Sequence, residues 1–196
     1  MRVSTDLYNF LCRSHQSELP SASSSRVVIN SIPHMAHSTN NIAFTAPVNP
    51  SGAVPALTRA QIWAGLRMKI RSAETFVPGG IQSTVVISED IDPNSGNPVT
   101  VREVVFVEGQ RKVREHVTAH EDSRVVFVQP DGSTIQNVIS EGENGELYMT
   151  YVFEWRHPGA SEAEMAAFSE KEKGMSKKAV NDTIAAMRKL VRDGKI

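Results

Sequence analysis

The chain has 196 residues, 40% of them hydrophobic and 22% charged, with a net charge of -1. That length suits one domain with an appendage and allows a sizeable core, the charge gives neither nucleic acid nor an anionic membrane an electrostatic reason to bind, and no run approaches the roughly 18 apolar residues that span a bilayer. Cys12 is the single cysteine, which excludes an internal disulfide framework and a cysteine-based zinc site and fits a reducing, cytoplasmic setting.

Residues 1–39 differ from the rest. They hold Ser21, Ser23, Ser24 and Ser25, scattered Arg2, Arg13 and Arg26, and few periodic apolar positions. They lack the roughly 7–15-residue apolar stretch of a secretory signal. Met1–His34 reads as a disordered extension, or as sequence ahead of an alternative start at Met35. A targeting peptide is the other reading, opposed by Asp6 and Glu18. The folded domain is expected over residues 40–196.

The first strand-like run is Asn41–Val48, followed by a Pro/Gly/Ser loop over Asn49–Pro55. Thr58 and Gln61 have the spacing of a capping box, and Ile62, Leu66 and Ile70 form one apolar stripe. A helix is therefore expected from Thr58 towards Phe76, stopped by Pro78-Gly79-Gly80. Six β-branched-rich runs follow, at about 81–91, 99–108, 111–119, 124–130, 133–141 and 146–156, with the turn-rich Asp92–Pro98 between the first two. Ser161 and Glu164 make a second capping box. Val180, Ile184, Met187 and Val191 mark an apolar helix face up to Val191, with Gly174 expected to bend or break the helix. Short sequential strands with tight turns favour an antiparallel α+β sheet of seven strands, closed by the last helix into a cup.

Two-residue loops would fix which residues face each other. A loop at Gly109-Gln110 sets Phe106 against Val113, Val104 against Glu115 and Arg102 against Val117, and this more apolar face should point inward. A loop at Asp131-Gly132 sets Gln129 against Thr134 and Phe127 against Gln136. One at Asn144-Gly145 sets Gln136 against Phe153 and Val138 against Tyr151. The inward set of the last strand is then Leu147, Met149, Tyr151, Phe153 and Trp155.

Large aromatics beside Arg102, Glu115, Gln129 and Gln136 are unlike a plain core, because buried charges cost several kcal/mol each unless paired or solvated. Apolar walls with a few placed polar groups are the composition of a small-molecule pocket. The expected binding surface is Arg102, Val104, Phe106, Glu115, Phe127, Gln136, Met149, Tyr151, Phe153 and Trp155 from the sheet, with Ile184 and Met187 from the last helix. A structural Arg102–Glu115 pair in an ordinary core is the alternative. For catalysis within the cup, Glu115 could act as base, Arg102 could steady an enolate and Tyr151 could donate a proton. No metal or cofactor is expected: His116 and His120 lie ~13 Å apart along a strand, Gly79-Gly80 follows a helix instead of opening one, and no nucleophile elbow is present.

The stretches NNIAFTAPVN (40–49), LTRAQIWAGLRMKIRSAETFVPG (57–79), TVREVVF (100–106), VREHV (113–117), YVFEWRHPG (151–159) and AVNDTIAAMRKLVRDGKI (179–196) resemble the AtaL-like branch of the START/Bet v (SRPBCC, helix-grip) superfamily. The resemblance implies a seven-stranded antiparallel sheet wrapped round a long C-terminal helix, with an internal hydrophobic cavity. It also implies a fungal setting in specialised metabolism. The leading expectation is a binder of a small hydrophobic metabolite or biosynthetic intermediate. A cofactor-independent polyketide-cyclase or dehydratase-like enzyme is the alternative, and an interaction module assisting a chaperone or complex is a third class.

Overall fold

The computed structural model describes residues 38–196. The expectations for the N-terminal extension, with Cys12, His34 and His37, fall outside those residues. The elements run β1 (Thr39–Pro47), α1 (Arg59–Arg71), β2 (Ile81–Ile91), β3 (Pro98–Phe106), β4 (Lys112–His120), β5 (Arg124–Val128), β6 (Thr134–Glu141), β7 (Leu147–Arg156) and α2 (Glu162–Arg192). All seven strands join in one antiparallel sheet of order β1-β7-β6-β5-β4-β3-β2. The α+β architecture inferred from element order is the one observed. No helix among the described residues is long and apolar enough to cross a membrane.

Both capping boxes form. Thr58 Oγ1 accepts the Gln61 N–H at 3.2 Å while the Gln61 side chain accepts the Thr58 N–H at 2.9 Å, and Ser161 and Glu164 do the same for α2. The stripe Ile62, Leu66 and Ile70 is buried. α1 nevertheless stops at Arg71, short of Pro78-Gly79-Gly80. Its end is met by other groups: Arg102 Nη1 donates to the Lys69 and Ile70 carbonyls, each at 2.9 Å, and a 3-10 turn over Ala73–Thr75 buries Phe76. Helix-terminal carbonyls need partners, and a buried guanidinium provides them here. Gly174 does not interrupt α2, which runs 31 residues without a break. A mid-helix glycine costs about 1 kcal/mol, too little to break a helix anchored by buried Glu172, Ser176 and Val180 on either side of it.

The hairpin loops are longer than two residues, and this decides the register. Between β3 and β4, the Phe106 N–H donates to the Arg111 carbonyl at 2.9 Å, closing a four-residue loop in which Gly109 and Gln110 have φ of 67° and 51°. Val104 therefore faces Val113 and Arg102 faces Glu115. The slip of two residues keeps both on the inner face, directly opposite each other where a diagonal relation was expected. Between β5 and β6, Gln129 and Ser133 flank the three-residue loop Pro130-Asp131-Gly132, with Gly132 at φ 83°. Three-residue loops that end in a left-handed glycine are the next common hairpin class after two-residue turns. The slip here is one residue, and it inverts β6. Gln136 points outward, opposite Val126 and Val152, and Thr134 and Val138 share that outer face. Ile135, Asn137 and Ile139 face inward instead.

A second three-residue loop, Glu143-Asn144-Gly145, lies between β6 and β7, with Gly145 at φ 85°. Its one-residue slip cancels the first. Met149, Tyr151 and Phe153 consequently face inward as expected, opposite Ile139, Asn137 and Ile135. The core between sheet and helices contains Val117, Val125, Phe127, Met149, Tyr151, Phe153, Ile184 and Met187.

Candidate functional site

The inner face of the sheet and the helices packed on it carry two clusters of polar groups inside this apolar shell. Arg102 and Glu115, each 3% exposed, pair through Arg102 Nε and Nη2 to Glu115 Oε2 at 2.9 and 2.7 Å. Gln129 Nε2 donates to Glu115 Oε1 at 3.1 Å, so both carboxylate oxygens are engaged. The guanidinium lies over the Phe127 ring, 4.7 Å from its centre, a favourable cation–π placement. Through its bonds to the carbonyls of Lys69 and Ile70, Arg102 ties β3 to the end of α1.

Lys69 centres the second cluster. It is 5% exposed, and its Nζ donates to Tyr151 Oη at 2.8 Å, Asn137 Oδ1 at 3.1 Å and Thr183 Oγ1 at 3.2 Å. All three acceptors are neutral, and among the described residues no carboxylate forms an ion pair with Lys69. Burial, reinforced by the Arg102 charge and opposed by Glu115, pulls its ammonium from the usual 10.5 down to about 7. Desolvation penalises a charged amine, and a neighbouring cation adds to that penalty. Burial likewise pushes the Tyr151 phenol above its usual 10, so it keeps its proton at neutral pH. Asn137 is 1% exposed, and its Nδ2 has no hydrogen-bond partner among the described residues. Buried polar atoms without partners are rare in native proteins.

The sequence-derived surface divides accordingly. Arg102, Val104, Glu115, Phe127, Met149, Tyr151, Phe153, Ile184 and Met187 are all buried between the sheet and the helices. Trp155 is half-buried and stacks on Phe153 with ring centres 4.3 Å apart. Phe106, at the end of β3, is half-buried beneath the Arg111 guanidinium and outside the core cluster. Gln136 lies on the outer face, because of the longer β5–β6 loop. Sequence reasoning did not identify Lys69, Asn137 or Thr183. Lys69 is seven residues after Ile62 and three after Leu66, on the apolar stripe of α1. Thr183 lies between Val180 and Met187 on the apolar face of α2. A polar residue on a helix stripe was thus the available signal. Asn137 was hidden by the β6 inversion.

A further cluster fastens α2 to β7 and β1. Glu172 on α2 is buried, accepting from Asn40 Nδ2 at 2.7 Å and lying 2.7 Å from His157 Nε2, while the His157 ring stacks on Phe168. Open clefts of about 400 and 430 Å³ lie at the two ends of α2, the first lined by Arg156–Ala160, Glu164 and Phe168, the second by Thr75, Pro78 and one face of the C-terminal segment that includes Asp182, Ala186, Lys189 and Asp193.

The family model described as AtaL, acetylaranotin biosynthesis cluster protein L, matches residues 42–194. No curated protein matches the chain. Among solved structures, the chain is similar to the Zhui aromatase/cyclase from Streptomyces sp. R1128, at 8% identity and a TM-score of 0.57, covering 80% of this chain and 98% of that one. It is also similar to the di-domain ARO/CYC StfQ from the steffimycin biosynthetic pathway, at 11% identity and a TM-score of 0.55 over 80% of this chain. The chain spans about half the length of StfQ, covering 52% of it. At these identities the likeness is one of fold alone, a helix-grip arrangement of a seven-stranded antiparallel sheet and a long C-terminal helix.

Proposed function

The chain belongs to the AtaL family, and from that premise we propose that it binds a small hydrophobic metabolite or biosynthetic intermediate in the space between the sheet and α2. One observation carries this reading: two buried polar clusters, Gln129–Glu115–Arg102 and Lys69 with Tyr151, Asn137 and Thr183, joined where Arg102 donates to the Lys69 carbonyl and set among Phe127, Met149, Phe153 and Met187. A core needs only apolar packing. Polar groups in this number at its centre cost desolvation that a packed interior does not require, and they suit a ligand with an apolar body and one or two oxygens. The internal cavity implied by the family resemblance belongs to this proposal, as do the roles of Val104, Ile184 and Trp155 as lining.

Native mass spectrometry of the purified protein, with extraction of co-purified small molecules, tests the reading directly. Displacement of 1-anilinonaphthalene-8-sulfonate by a flat aromatic ketone measures the same site. Affinity unchanged in both Arg102→Met and Glu115→Gln would remove the polar set from the site.

The alternative is a cofactor-independent cyclase or dehydratase of specialised metabolism. Lys69 supports it, because a buried amine near neutrality can take up a proton and Tyr151, 2.8 Å away, keeps its own and can donate a hydrogen bond to a carbonyl oxygen. In this reading the base is Lys69 and not Glu115, whose two oxygens both accept hydrogen bonds from Arg102 and Gln129. Arg102 then holds the carboxylate and the α1 terminus in place and does not itself meet an enolate. Incubating the extracted molecule with fresh protein and following its conversion separates binding from turnover.

A further inference from the structure

We propose that Lys69 is a nucleophile that forms an imine with a ketone or aldehyde carbonyl of the ligand, the carbonyl oxygen being received by Asn137 Nδ2. This rests on the binding reading above and extends it to a covalent step. Three observations meet at one point. Lys69 Nζ is buried among neutral oxygens and makes no ion pair with a carboxylate among the described residues, so no anion holds it as an ammonium; as a neutral amine it keeps two N–H donors, and the Tyr151 or Thr183 hydroxyl turns to donate the third bond. The charged and titratable groups around it are Arg102 from β3, Glu115 from β4 and Tyr151 from β7, and Glu115 is committed to Arg102 and Gln129. The Asn137 amide accepts from Lys69 through Oδ1 while its Nδ2, on the same carbon, is an unpartnered buried donor. A ligand oxygen that satisfies Nδ2 brings its carbon within reach of Nζ. Desolvation and a neighbouring cation are the two means by which proteins keep an amine unprotonated and nucleophilic.

The step balances within these residues. The neutral Nζ lone pair attacks the carbonyl carbon, a C–N bond forms, and the carbonyl π pair moves to the oxygen held by Asn137. A proton passes from nitrogen to that oxygen, with Tyr151 Oη positioned to relay it. The remaining N–H proton follows the same route through Tyr151 Oη to the carbinolamine hydroxyl, which leaves as water while the nitrogen pair closes the C=N bond, so the released water holds the carbonyl oxygen and the two amine hydrogens. No oxidant, reductant or metal enters. The imine acidifies the adjacent C–H, which places aldol-type ring closure and dehydration among the reactions open to the bound molecule. Met187 of α2 packs over Gly65 of α1, one turn from Thr183 and Lys69 respectively, and is the side chain that would have to move for a ligand to reach Nζ from that seam. Met187 has a flexible thioether side chain suited to moving aside.

The test uses the full chain and 1-phenylbutane-1,3-dione, a hydrophobic diketone whose adduct with an unprotonated lysine is a stable, near-UV-absorbing enaminone. Binding is followed by displacement of 1-anilinonaphthalene-8-sulfonate, and adducts by peptide mapping at pH 8. Lys69 is expected to react at least tenfold faster than the exposed Lys177, with Asn137→Leu slowing the Lys69 adduct about tenfold. Mapping the wild type keeps the test independent of whether Lys69→Met folds. Displacement of the dye with the label confined to exposed lysines overturns the imine and leaves the binding reading standing. Failure of the diketone both to displace the dye and to label Lys69 overturns both.

Discussion

Replacing Lys69 by methionine keeps the length of the side chain and removes its charge, which isolates the electrostatic consequence of burying the amine. Lowering its folded-state value from 10.5 to about 7 means that the buried ammonium costs about 5 kcal/mol when charged in both states. The sign follows from which state holds the proton. Between pH 7 and 10.5 the unfolded chain keeps it and the folded protein releases it, so stability rises with pH through that window. The full cost applies below pH 7 and is gone above pH 10.5. From pH 7 to pH 9 the wild type should gain about 2 kcal/mol relative to Lys69→Met. At pH 7 the two should lie within about 2 kcal/mol of each other, because the variant leaves Tyr151, Asn137 and Thr183 without their donor. Urea unfolding at pH 6.5, 7, 8 and 9, followed by tryptophan fluorescence, gives the difference, in which the titrations of histidines and Cys12 cancel. A wild-type-minus-variant difference that stays constant to within about 0.5 kcal/mol over that range would refute a lowered Lys69 value.

Glu115→Leu, which strands the Arg102 charge in the core, should cost about 3–5 kcal/mol in urea denaturation, and the double variant Arg102→Met/Glu115→Leu should recover most of it. At Gly65 a Cβ would lie 2.6 Å from Met187 Cγ. Gly65→Ala should therefore destabilise by about 1–3 kcal/mol despite alanine's better helix propensity, and adding Met187→Ala should remove that overpacking penalty as read by a non-additive double-mutant cycle. Ser161→Ala, which removes the α2 cap, should lower stability by about 1 kcal/mol with no change in dye binding.

The sequence by itself determined the order and type of the elements, though not the end of α1 or the continuity of α2 through Gly174, because the causes of the elements are local. The stripe of Ile62, Leu66 and Ile70, the caps at Thr58 and Ser161, and the alternation of Met149, Tyr151 and Phe153 act within a few residues, and each appears where it was expected. The Arg102–Glu115 pair was also legible, since a four-residue loop and a two-residue loop put the same residues on the same face. The face of β6 was not. Asp131-Gly132 and Asn144-Gly145 read as two-residue turns, but Gly132 and Gly145 each close a three-residue loop. One added residue turns a strand over, and the second addition restores the next strand, so Asn137 replaced Gln136 inside while Tyr151 stayed put.

Lys69 shows the other limit. A lysine on a helix stripe normally extends its amine to solvent. Here the partners that hold it in the core, Asn137, Tyr151 and Thr183, are 68, 82 and 114 residues away in the chain. Only the packing of α1 and α2 on the inner face of the sheet brings those oxygens to one nitrogen, and only that enclosure removes the water that would otherwise keep it charged.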